Sequence, residues 1–355
     1  MGRIRVLIAD DSSLARGLLR DFLEGDEGIE VIGEASNGRQ AVDMAHALKP
    51  DLITMDLEMP VMTGLQAIEE IMCSKAVPIL VVSSVADAQN ALAAMGCGAL
   101  EVVRKPDYSP AEAADFVARV RMLAGVSVIT RLRPRPAPTP PVMMPGGAVS
   151  PVAAAAAGQA ATPGARRVFA IACSTGGPQA LAQILPALPA DFPCPVLIAQ
   201  HISDGFAQGM VDWLSSLCRL PVRLAAEGDL LQPGVIHISP SERHLRITPA
   251  HGVSLVERGM LDLFHPSCDV MLDSVADIFG RQAVGIILTG MSSDGARGIA
   301  QIHAQGGMTL AQDEASSVIY GMNRVAIEAG SVQQILPVEA IAQAMIQLAK
   351  AEGGR

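Results

Sequence analysis

Strand-like and helix-like segments alternate through residues 1–122 of the sequence, and this alternation restricts the fold more than any other feature. Short apolar runs rich in β-branched residues, such as residues 4–9 and 78–83, are typical of buried strands. The segments between such runs carry apolar residues at helical spacing, as Leu14 and Leu18 do. Repeated strand–helix units of this kind predict a parallel, doubly wound α/β sheet.

The length and composition of the chain bound the number of domains and exclude several classes of partner. At 355 residues the chain is long enough for two domains. Aromatic residues make up only 3% of a sequence that is 50% hydrophobic, so we expect aliphatic cores. The formal net charge of −10 argues against nucleic acid as the main partner. No apolar run reaches the ~18 residues that a membrane helix needs, and residues 3–9 are typical of a strand rather than a signal peptide, so we expect a cytoplasmic protein.

The six cysteines are scattered and show none of the paired spacings that metal sites use. In a reducing compartment we expect them to be free, buried thiols. They are Cys73, Cys97, Cys173, Cys194, Cys218 and Cys268.

Polar side chains stand where predicted strands of the first half end. Asp10 and Asp11 follow one strand, and Asp56 ends another. Three carboxylates brought together repel one another unless a divalent cation binds them, and oxygen ligands favour Mg²⁺. Ser83 and Lys105, at the ends of further strands, are suited to hold phosphoryl oxygens. Alone, the two adjacent acids are also compatible with a charged turn, but the five residues in this order form a specific signature.

In the second half, a serine lies on a sharp turn between a predicted strand and a predicted helix. Residues 168–172 are apolar, and Pro178 fits the first position of a helix. Ser174 therefore lies close to the free N–H groups of a helix start, which suit a developing oxyanion. The alternative, that Ser174 only caps the helix, is about equally compatible with this stretch. Cys173 is a rival nucleophile, although strand alternation turns its side chain away from Ser174.

A base and an acid for this serine follow at the ends of two later strands. His201 comes directly after the apolar run 195–200, and Asp294 lies in a glycine-flanked loop after the run 284–289. Catalytic groups gather at the carboxyl ends of strands in open parallel sheets. A single histidine or an Asp-Gly turn is more often structural. The three residue types together nevertheless favour a hydrolase in which His201 activates Ser174.

Two further stretches depart from the alternation of strand and helix. Residues 124–165 are rich in proline and alanine and predict a linker. Between His201 and Asp294 there are four short strand-like runs separated by turn signals, from which we expect antiparallel hairpins. These runs are residues 222–225, 234–239, 245–247 and 253–256.

The first 122 residues closely resemble a response-regulator receiver domain. The resemblance lies in the acids, hydroxyl and lysine named above and in the Met-Pro…Gly loop of residues 59–64. It implies a flavodoxin-like (βα)5 fold that takes a phosphoryl group from a histidine kinase and binds Mg²⁺ for that reaction. The residues it implies are the phosphorylated Asp56, the metal ligands Asp10, Asp11 and Asp56, the switch hydroxyl Ser83 and the phosphoryl contact Lys105.

The second half resembles the catalytic domain of the chemotaxis protein-glutamate methylesterases. A receiver joined to such a domain is a highly specific combination. The resemblance implies a doubly wound α/β domain with a mainly parallel sheet, a β-hairpin patch and no cofactor. The implied triad is Ser174, His201 and Asp294, with the backbone N–H groups of Thr175 and Met291 as oxyanion donors. The matching stretches are residues 174–178, 200–201, 266–270, 288–295 and 311–322.

Three positions depart from the family pattern. Cys173 stands where the family usually has alanine, and residues 202–204 replace the methionine and proline that usually follow the histidine. Asn323 stands where a proline is usual. No triad residue is lost, but the substrate-facing surface beside His201 differs from the family pattern.

Together the two resemblances imply a phosphorylation-regulated enzyme of sensory adaptation. The implied reactions are hydrolysis of glutamate methyl esters and deamidation of glutamines on methyl-accepting chemoreceptors, with a chemotaxis histidine kinase as phosphodonor. We expect the unmodified receiver to pack over the Ser174 face, and we expect no nucleic-acid partner, no membrane insertion and a monomer. The expected boundaries are residues 1–123 for the receiver, 124–165 for the linker and 166–355 for the catalytic domain.

Three other functions are compatible with parts of the sequence. A non-catalytic adaptor would use the triad residues structurally, and a Ser174 that does not react with an acylating probe would favour it. A DNA-binding response regulator needs a basic recognition helix after the linker, and residues 166–355 offer none. A general esterase would act on small esters and be indifferent to receptors.

Overall fold

A computed structural model describes two α/β units, one on either side of the predicted linker. Almost all of that linker, residues 124–165, lies outside the described residues, so the predicted domain boundaries stay a prediction. Among the described residues, no helix is both long and apolar enough to cross a membrane. The described residues are 2–84, 88–126, 128, 167–259, 262 and 264–350.

The N-terminal unit is a five-stranded parallel sheet with helices on both faces. Its strands are β1 (Ile4–Ala9), β2 (Ile29–Ala35), β3 (Leu52–Met55), β4 (Ile79–Ser83) and β5 (Glu101–Arg104). Its helices are α1 (Ser13–Glu24), α2 (Gly38–Leu48), α3 (Gly64–Ser74), α4 (Ala88–Cys97) and α5 (Pro110–Leu123). The strand order β2-β1-β3-β4-β5 is that of flavodoxin-like folds, and it brings the carboxyl ends of β1, β3, β4 and β5 to one edge.

Polar side chains fix where the helices of this unit begin, because they satisfy backbone N–H groups that lack a partner within the helix. At the start of α1 the Ser12 hydroxyl accepts a hydrogen bond from Ala15 N at 3.3 Å. At the start of α3, Thr63 and Gln66 each accept a bond from the other's backbone N–H, which is a complete capping box. These caps set the helix starts next to the strand ends that carry the acids.

The C-terminal unit is a seven-stranded, wholly parallel sheet, again with helices on both faces, and a separate hairpin. Its strands are β6 (Val168–Cys173), β7 (Val196–Gln200), β8 (Val222–Leu224), β9 (Ile236–Ile238), β10 (Arg243–Ile247), β11 (Val253–Glu257), β12 (Ala283–Ile287), β13 (Met308–Gln312) and β14 (Gln334–Leu336). Its helices are α6 (Gly177–Ile184), α7 (Ala207–Leu217), α8 (Cys268–Phe279), α9 (Ala296–Ala304), α10 (Met322–Glu328) and α11 (Val338–Lys350). The order across the main sheet is β14-β13-β12-β6-β7-β9-β8.

The expectation of antiparallel hairpins is correct for only one of the two strand pairs between His201 and Asp294. β10 and β11 form an antiparallel hairpin, with Leu245 opposite Leu255. β8 and β9 instead pair in parallel and extend the main sheet beyond β7. The connection between them, residues 225–235, is long enough for a parallel crossover, whereas a hairpin needs only a short turn.

The two faces of β6 have different cores because side chains alternate along a strand. Phe169 and Ile171 pack into one layer with Leu181 of α6. Ala170 and Ala172 face the other layer, which contains α8 and α9. The small side chains on this second face leave room for α8 to approach β6, and this helix begins beside the acid of the candidate triad.

The two units touch through the receiver's α4–β5 edge. Gly96 of α4 lies against Trp213 of α7, since a Cβ on Gly96 would be 3.6 Å from the indole nitrogen. Gln179 of α6 donates a hydrogen bond to the carbonyl of Ala99 at 2.7 Å. These contacts bring β5 and α5 over the turn that follows β6, where Ser174 lies.

Candidate functional site

The predicted acid site forms at the strand ends of the N-terminal sheet. Asp10 and Asp56 are buried, Asp11 is exposed at the rim, and one oxygen from each lies within 4.8 Å of the others. Lys105 Nζ is 2.8 Å from Asp10 Oδ2 and 2.9 Å from Asp56 Oδ2. Burial and the charge of Asp10 raise the pKa of Asp56, and the hydrogen bond from Lys105 offsets only part of this rise.

This group of oxygens fits a hard divalent cation. The two buried carboxylates repel each other, and this repulsion adds to burial, the larger cause, in raising the pKa of Asp56. A cation such as Mg²⁺ on Asp10, Asp11 and Asp56 removes this repulsion. Ser83 at the end of β4 is fully buried, and its hydroxyl has no hydrogen-bond partner in the described part of the chain, so it is free to meet a phosphoryl oxygen.

The turn after β6 presents Ser174 as predicted, but the helix starts differently. The cap residue of α6 is Gly176, at φ +80°, where a Cβ would lie 2.5 Å from the Cβ of Val318. No side chain caps α6, so the alternative that Ser174 caps this helix is wrong. Pro178 is the second residue of the helix rather than the first. Ser174 is 8% exposed and lines a cavity at the strand ends.

His201 and Asp294 meet as predicted. His201 Nε2 and Asp294 Oδ2 are 2.8 Å apart, and the imidazole stacks on Phe264 with ring centroids 5.3 Å apart. His201 lines the same cavity as Ser174, although no hydrogen bond between the two side chains is present among the described residues. Because Nε2 faces Asp294, Nδ1 is the ring nitrogen left for the serine.

The Asp294 carboxylate is held from several sides. It accepts hydrogen bonds from the hydroxyl of Ser267 (3.0 Å), the N–H of Cys268 (2.6 Å) and the N–H of Asp269 (3.0 Å), all at the start of α8. Burial raises the pKa of Asp294. The hydrogen bond and charge of His201, with the backbone donors, lower it more, and the net result is a pKa below the usual value. Asp294 is therefore an anion at neutral pH.

Four residues of this site had no role in the sequence prediction. Ser267, Cys268 and Asp269 were matched to the family only as a stretch, and their function as donors depends on α8 starting beside Asp294. Gln200 donates from one side-chain nitrogen to the carbonyls of Ser174 (2.9 Å) and His201 (2.8 Å) and so joins the serine and histidine turns. The signal for Gln200 was its position directly before the histidine at the end of a strand.

The two predicted oxyanion donors lie on either side of the serine turn. Thr175 directly follows Ser174, and Gly290, which precedes Met291, would place a Cβ 2.6 Å from the Ser174 Cβ. No hydrogen bond to the backbone N–H of Thr175 or Met291 occurs within the described residues. Thr175 is buried, whereas the Met291 side chain is 50% exposed at the cavity mouth.

None of the six cysteines, all of which lie within the described residues, forms a disulfide, but only three of them are buried. Burial raises the pKa of the Cys173 thiol far above neutrality, so Cys173 is a poor rival to Ser174 as nucleophile. The expectation of burial is wrong for Cys73, Cys97 and Cys218, which are half-buried; partial burial still raises the pKa of Cys218 to about 11.

The departures from the family pattern are accommodated without loss of the site. Asp204, in the segment after His201, forms a two-pronged ion pair with Arg258 at 2.8 and 3.1 Å. Asn323 is fully buried, and its side-chain amide donates to the carbonyl of Gln312 and the hydroxyl of Ser317, each at 2.8 Å. The ion pair between Asp204 and Arg258 thus holds the loop beside His201 in place.

The N-terminal unit closes over the serine. The Thr175 hydroxyl donates to Glu101 Oε2 of β5 at 2.7 Å, and Glu101 also pairs with Arg119 of α5. Between the units lies a cavity of about 490 Å³. Its lining includes Glu101, Phe116 and Arg119 from one unit and Ser174, His201 and Met291 from the other.

A cluster of acids and a Ser-His-Asp arrangement, each at the strand ends of its own parallel sheet, define the class as a receiver-linked α/β hydrolase. The family model of the response regulator receiver domain matches residues 6–115, and that of the CheB methylesterase matches residues 169–345. The chain belongs to the CheB methylesterase family. The resemblances drawn from the sequence are thereby confirmed for the family and for the fold.

Individual relatives match over nearly the whole chain. Protein-glutamate methylesterase/protein-glutamine glutaminase 3 of Paramagnetospirillum magneticum is 52% identical over 99% of this chain and 98% of its own. Protein-glutamate methylesterase/protein-glutamine glutaminase 4 of Myxococcus xanthus is 39% identical over 99% of this chain and 98% of its own. The crystal structure of the Thermotoga maritima CheB methylesterase catalytic domain aligns with 52% of this chain and 98% of its own, at 32% identity and a TM-score of 0.50.

Proposed function

We propose that this chain hydrolyses glutamate methyl esters on chemoreceptors and deamidates receptor glutamines, through an acyl-enzyme on Ser174. The observation that carries the proposal is the 2.8 Å bond between His201 and Asp294, in the same cavity as Ser174. The activities for which the relatives are named support the choice of substrate. A buried, ionised acid that orients a histidine is what a serine needs to become a nucleophile.

The proposed reaction uses each triad residue in turn. His201 Nδ1 takes the Ser174 proton while the serine oxygen attacks the glutamyl carbonyl. The resulting oxyanion is held by the N–H groups of Thr175 and Met291, each of which contributes about 2.7–4 kcal/mol by comparison with other hydrolases. His201 returns its proton to the leaving methoxide, so that methanol departs, and water then cleaves the acyl-enzyme to the free glutamate. With glutamine as substrate, ammonia departs in place of methanol.

Asp294 supports both proton transfers without taking the proton itself. Its contact with Nε2 fixes the imidazole ring, and its negative charge stabilises the imidazolium that forms when Ser174 is deprotonated. Cys268, which lies behind the site, does not compete with Ser174 as a nucleophile. Burial keeps its thiol protonated, with a pKa well above its usual value.

The proposed control is phosphorylation of Asp56. The receiver blocks the serine in the unmodified chain, because Glu101 and α5 lie over Thr175 and the cavity mouth. Asp10, Asp11 and Asp56 would hold Mg²⁺, which would supply positive charge beside a phosphoryl group on the Asp56 carboxylate. Lys105 and the Ser83 hydroxyl then follow the new oxygens, and the rearranged β4–β5 edge releases its contacts with the catalytic unit.

The remaining predictions complete the proposal. The phosphodonor is a chemotaxis histidine kinase, and the substrate is the helical cytoplasmic part of a methyl-accepting chemoreceptor. The chain acts in the cytoplasm as a monomer, with no nucleic-acid partner, no membrane insertion and no cofactor in the catalytic domain. The receiver comprises residues 1–123, the linker 124–165 and the catalytic domain 166–355.

The test is methanol release from methylated chemoreceptor membranes. The full-length protein, Ser174→Ala and the control Ser254→Ala, on the hairpin away from the cavity, are compared with and without Mg²⁺ and a small phosphodonor. We expect release that rises with the phosphodonor and disappears only in Ser174→Ala. Full activity in Ser174→Ala would exclude the acyl-enzyme. No release by the unaltered chain while Asp56 is phosphorylated would favour the adaptor function.

A further inference from the structure

Two helix starts in the catalytic unit hold each other's acidic residues. Asp294 precedes α9, and its carboxylate accepts hydrogen bonds from the start of α8. Asp269 lies in the first turn of α8, and its Oδ1 accepts bonds from Gly295 N (2.9 Å) and Gly298 N (2.8 Å) at the start of α9. Each acid thus accepts hydrogen bonds from backbone N–H groups at the start of the other helix, in addition to the Ser267 hydroxyl that caps α8.

We infer that Asp269 is a positioning residue for catalysis, which holds Asp294 in the orientation that His201 needs. The inference rests on the proposed function of the triad. Asp269 touches neither the serine nor the cavity and acts only through Asp294. It acts in two ways: its own N–H binds Asp294 Oδ1 at 3.0 Å, and its carboxylate grips Gly295, the residue bonded to Asp294.

The start of α9 depends on this outside acceptor. Gly295 is the cap residue at φ +97°, and it has no side chain to accept a bond from the free N–H groups that follow. An anion at a helix start also interacts favourably with the helix dipole. Without the Asp269 carboxylate, Gly295 N and Gly298 N lose their acceptor, and the backbone that follows Asp294 loses two of the bonds that hold it next to α8.

Close packing leaves this arrangement little freedom to adjust elsewhere. A Cβ on Gly298 of α9 would lie 2.3 Å from the Cβ of Leu272 of α8, so the α9 backbone packs directly against the Leu272 side chain. The spacing of the helices is therefore set by packing. The angle of the Asp294 carboxylate toward His201 is set by the short bonds at the two helix starts.

The ion pairs around Asp269 are separable from its role as a cap. Arg297 contacts Asp269 Oδ2 at 3.2 Å and Asp273 Oδ2 at 2.8 Å, and its side chain is 68% exposed. Ion pairs of such exposed side chains contribute little to stability. Asp273 lies one turn further along α8 and shares Arg297, but among the described residues its carboxylate accepts no hydrogen bond from the backbone of the α9 start. Asp273→Ala is therefore a matched control.

The experiment is a double-mutant cycle in the full-length chain, activated with Mg²⁺ and a small phosphodonor and assayed by methanol release from methylated receptor membranes. The variants are Asp269→Ala, Asp294→Asn, their combination and the control. We expect Asp269→Ala to lower kcat by about 10- to 100-fold with KM unchanged, because a displacement of roughly 1 Å costs about 100-fold. In the Asp294→Asn background the same change has little further effect, since its route of action is already lost.

Conservative variants separate positioning from folding. Asp269→Asn keeps an acceptor oxygen for Gly295 and Gly298, and we expect it to recover most of kcat. If Asp269→Ala unfolds, the cycle is run with Asp269→Glu, which keeps the carboxylate but moves its oxygens by one methylene. The inference is overturned if the Asp269 variant loses no more kcat than Asp273→Ala, or if the losses multiply in the double variant. Ser174→Ala, measured alongside, reports separately whether the triad itself is correct.

Discussion

The chain contains two sites built on the same plan, and buried carboxylates behave in opposite ways in them. Asp56 and Asp294 both lie at the carboxyl ends of parallel strands and are nearly inaccessible. The pKa of Asp56 is raised, because burial and Asp10 outweigh the single Lys105. The pKa of Asp294 is lowered, because His201 and the donors of the α8 start outweigh burial.

This contrast explains how the two units divide the work. In the first unit the buried carboxylates are only partly compensated, as the raised pKa of Asp56 indicates, so this site is suited to change state when a charged group arrives. In the second unit the Asp294 carboxylate already has its hydrogen-bond partners and contacts His201, so the remaining means of control is access to Ser174. The structure contains a contact of this kind at the serine: Glu101 of the first unit accepts a hydrogen bond from Thr175, beside Ser174 of the second.

The largest effect is expected from removing the negative charge of Asp294, the carboxylate whose hydrogen-bond partners are all in place. Asp294→Asn keeps the shape of the side chain but offers His201 an amide in place of an anion. We expect kcat for methanol release to fall by about 10⁴-fold with KM little changed, by analogy with the orienting acid of other triads. Asp273→Asn on α8 is the control. A loss of less than about tenfold would mean that Asp294 does not orient the base.

The next largest effect concerns the acid site of the receiver, around Asp56. Asp56→Asn leaves no carboxylate for phosphoryl transfer, so we expect the response of methanol release to Mg²⁺ and a small phosphodonor to disappear while basal release persists. Asp43→Asn, an exposed acid on α2, should respond like the unaltered chain. A persisting response in Asp56→Asn would place the phosphorylation elsewhere.

A smaller effect is expected where the two sites meet. Glu101→Ala removes the acceptor for the Thr175 hydroxyl and weakens closure over the serine. A hydrogen bond to a charged group contributes about 1.5–3 kcal/mol, so we expect basal methanol release without phosphodonor to rise by about 10- to 100-fold. Trp213 is the only tryptophan and lies against Gly96, so its fluorescence reports the opening directly.

Glu69→Ala, an exposed change on α3, controls for altered charge in the receiver. Unchanged basal release in Glu101→Ala, with an unchanged tryptophan spectrum, would contradict the view that this contact holds the units together. A changed spectrum without a rise in release would mean that the contact closes the units but does not block the serine.

The sequence was sufficient to predict those site residues whose position depends on where a strand ends. An apolar run followed by a polar residue located Asp10, Asp56, Ser174, His201 and Asp294, because parallel strands bring their carboxyl ends to one edge. This geometry is fixed by local pattern and topology together. It is also why Lys105 lies beside Asp56 as predicted.

The sequence was insufficient where a function depends on how separate elements pack. The reciprocal caps of Asp269 and Asp294 join residues that are 25 positions apart in the chain. The parallel placement of β8 and β9 depends on a free edge beside β7, which turn signals do not reveal. The bond between Glu101 and Thr175 links two units across a long linker, and no local pattern in either segment encodes it.

The smallest effect is expected at His237, and it tests whether buried polar groups outside the active site of the catalytic unit also have partners. His237 of β9 is 2% exposed, and neither ring nitrogen has a hydrogen-bond partner in the described part of the chain. Burial and the charge of Arg223 lower the pKa of His237, and Asp229 opposes them only in part. The folded protein therefore holds this imidazole neutral, while the unfolded chain takes up a proton near its ordinary pKa of about 6.5.

Between those two pKa values the unfolded chain binds more protons, so stability is full above about pH 6.5 and is lost as the pH falls below it. We expect the unfolding temperature of the unaltered chain to drop more steeply from pH 7 to pH 5 than that of His237→Leu, by a few degrees. Thermal unfolding followed by circular dichroism measures this difference, with the exposed His303→Leu as control. Parallel curves for the unaltered chain and His237→Leu would mean that His237 is protonated in the folded state, and that unsatisfied charge is tolerated in both units rather than confined to the receiver site.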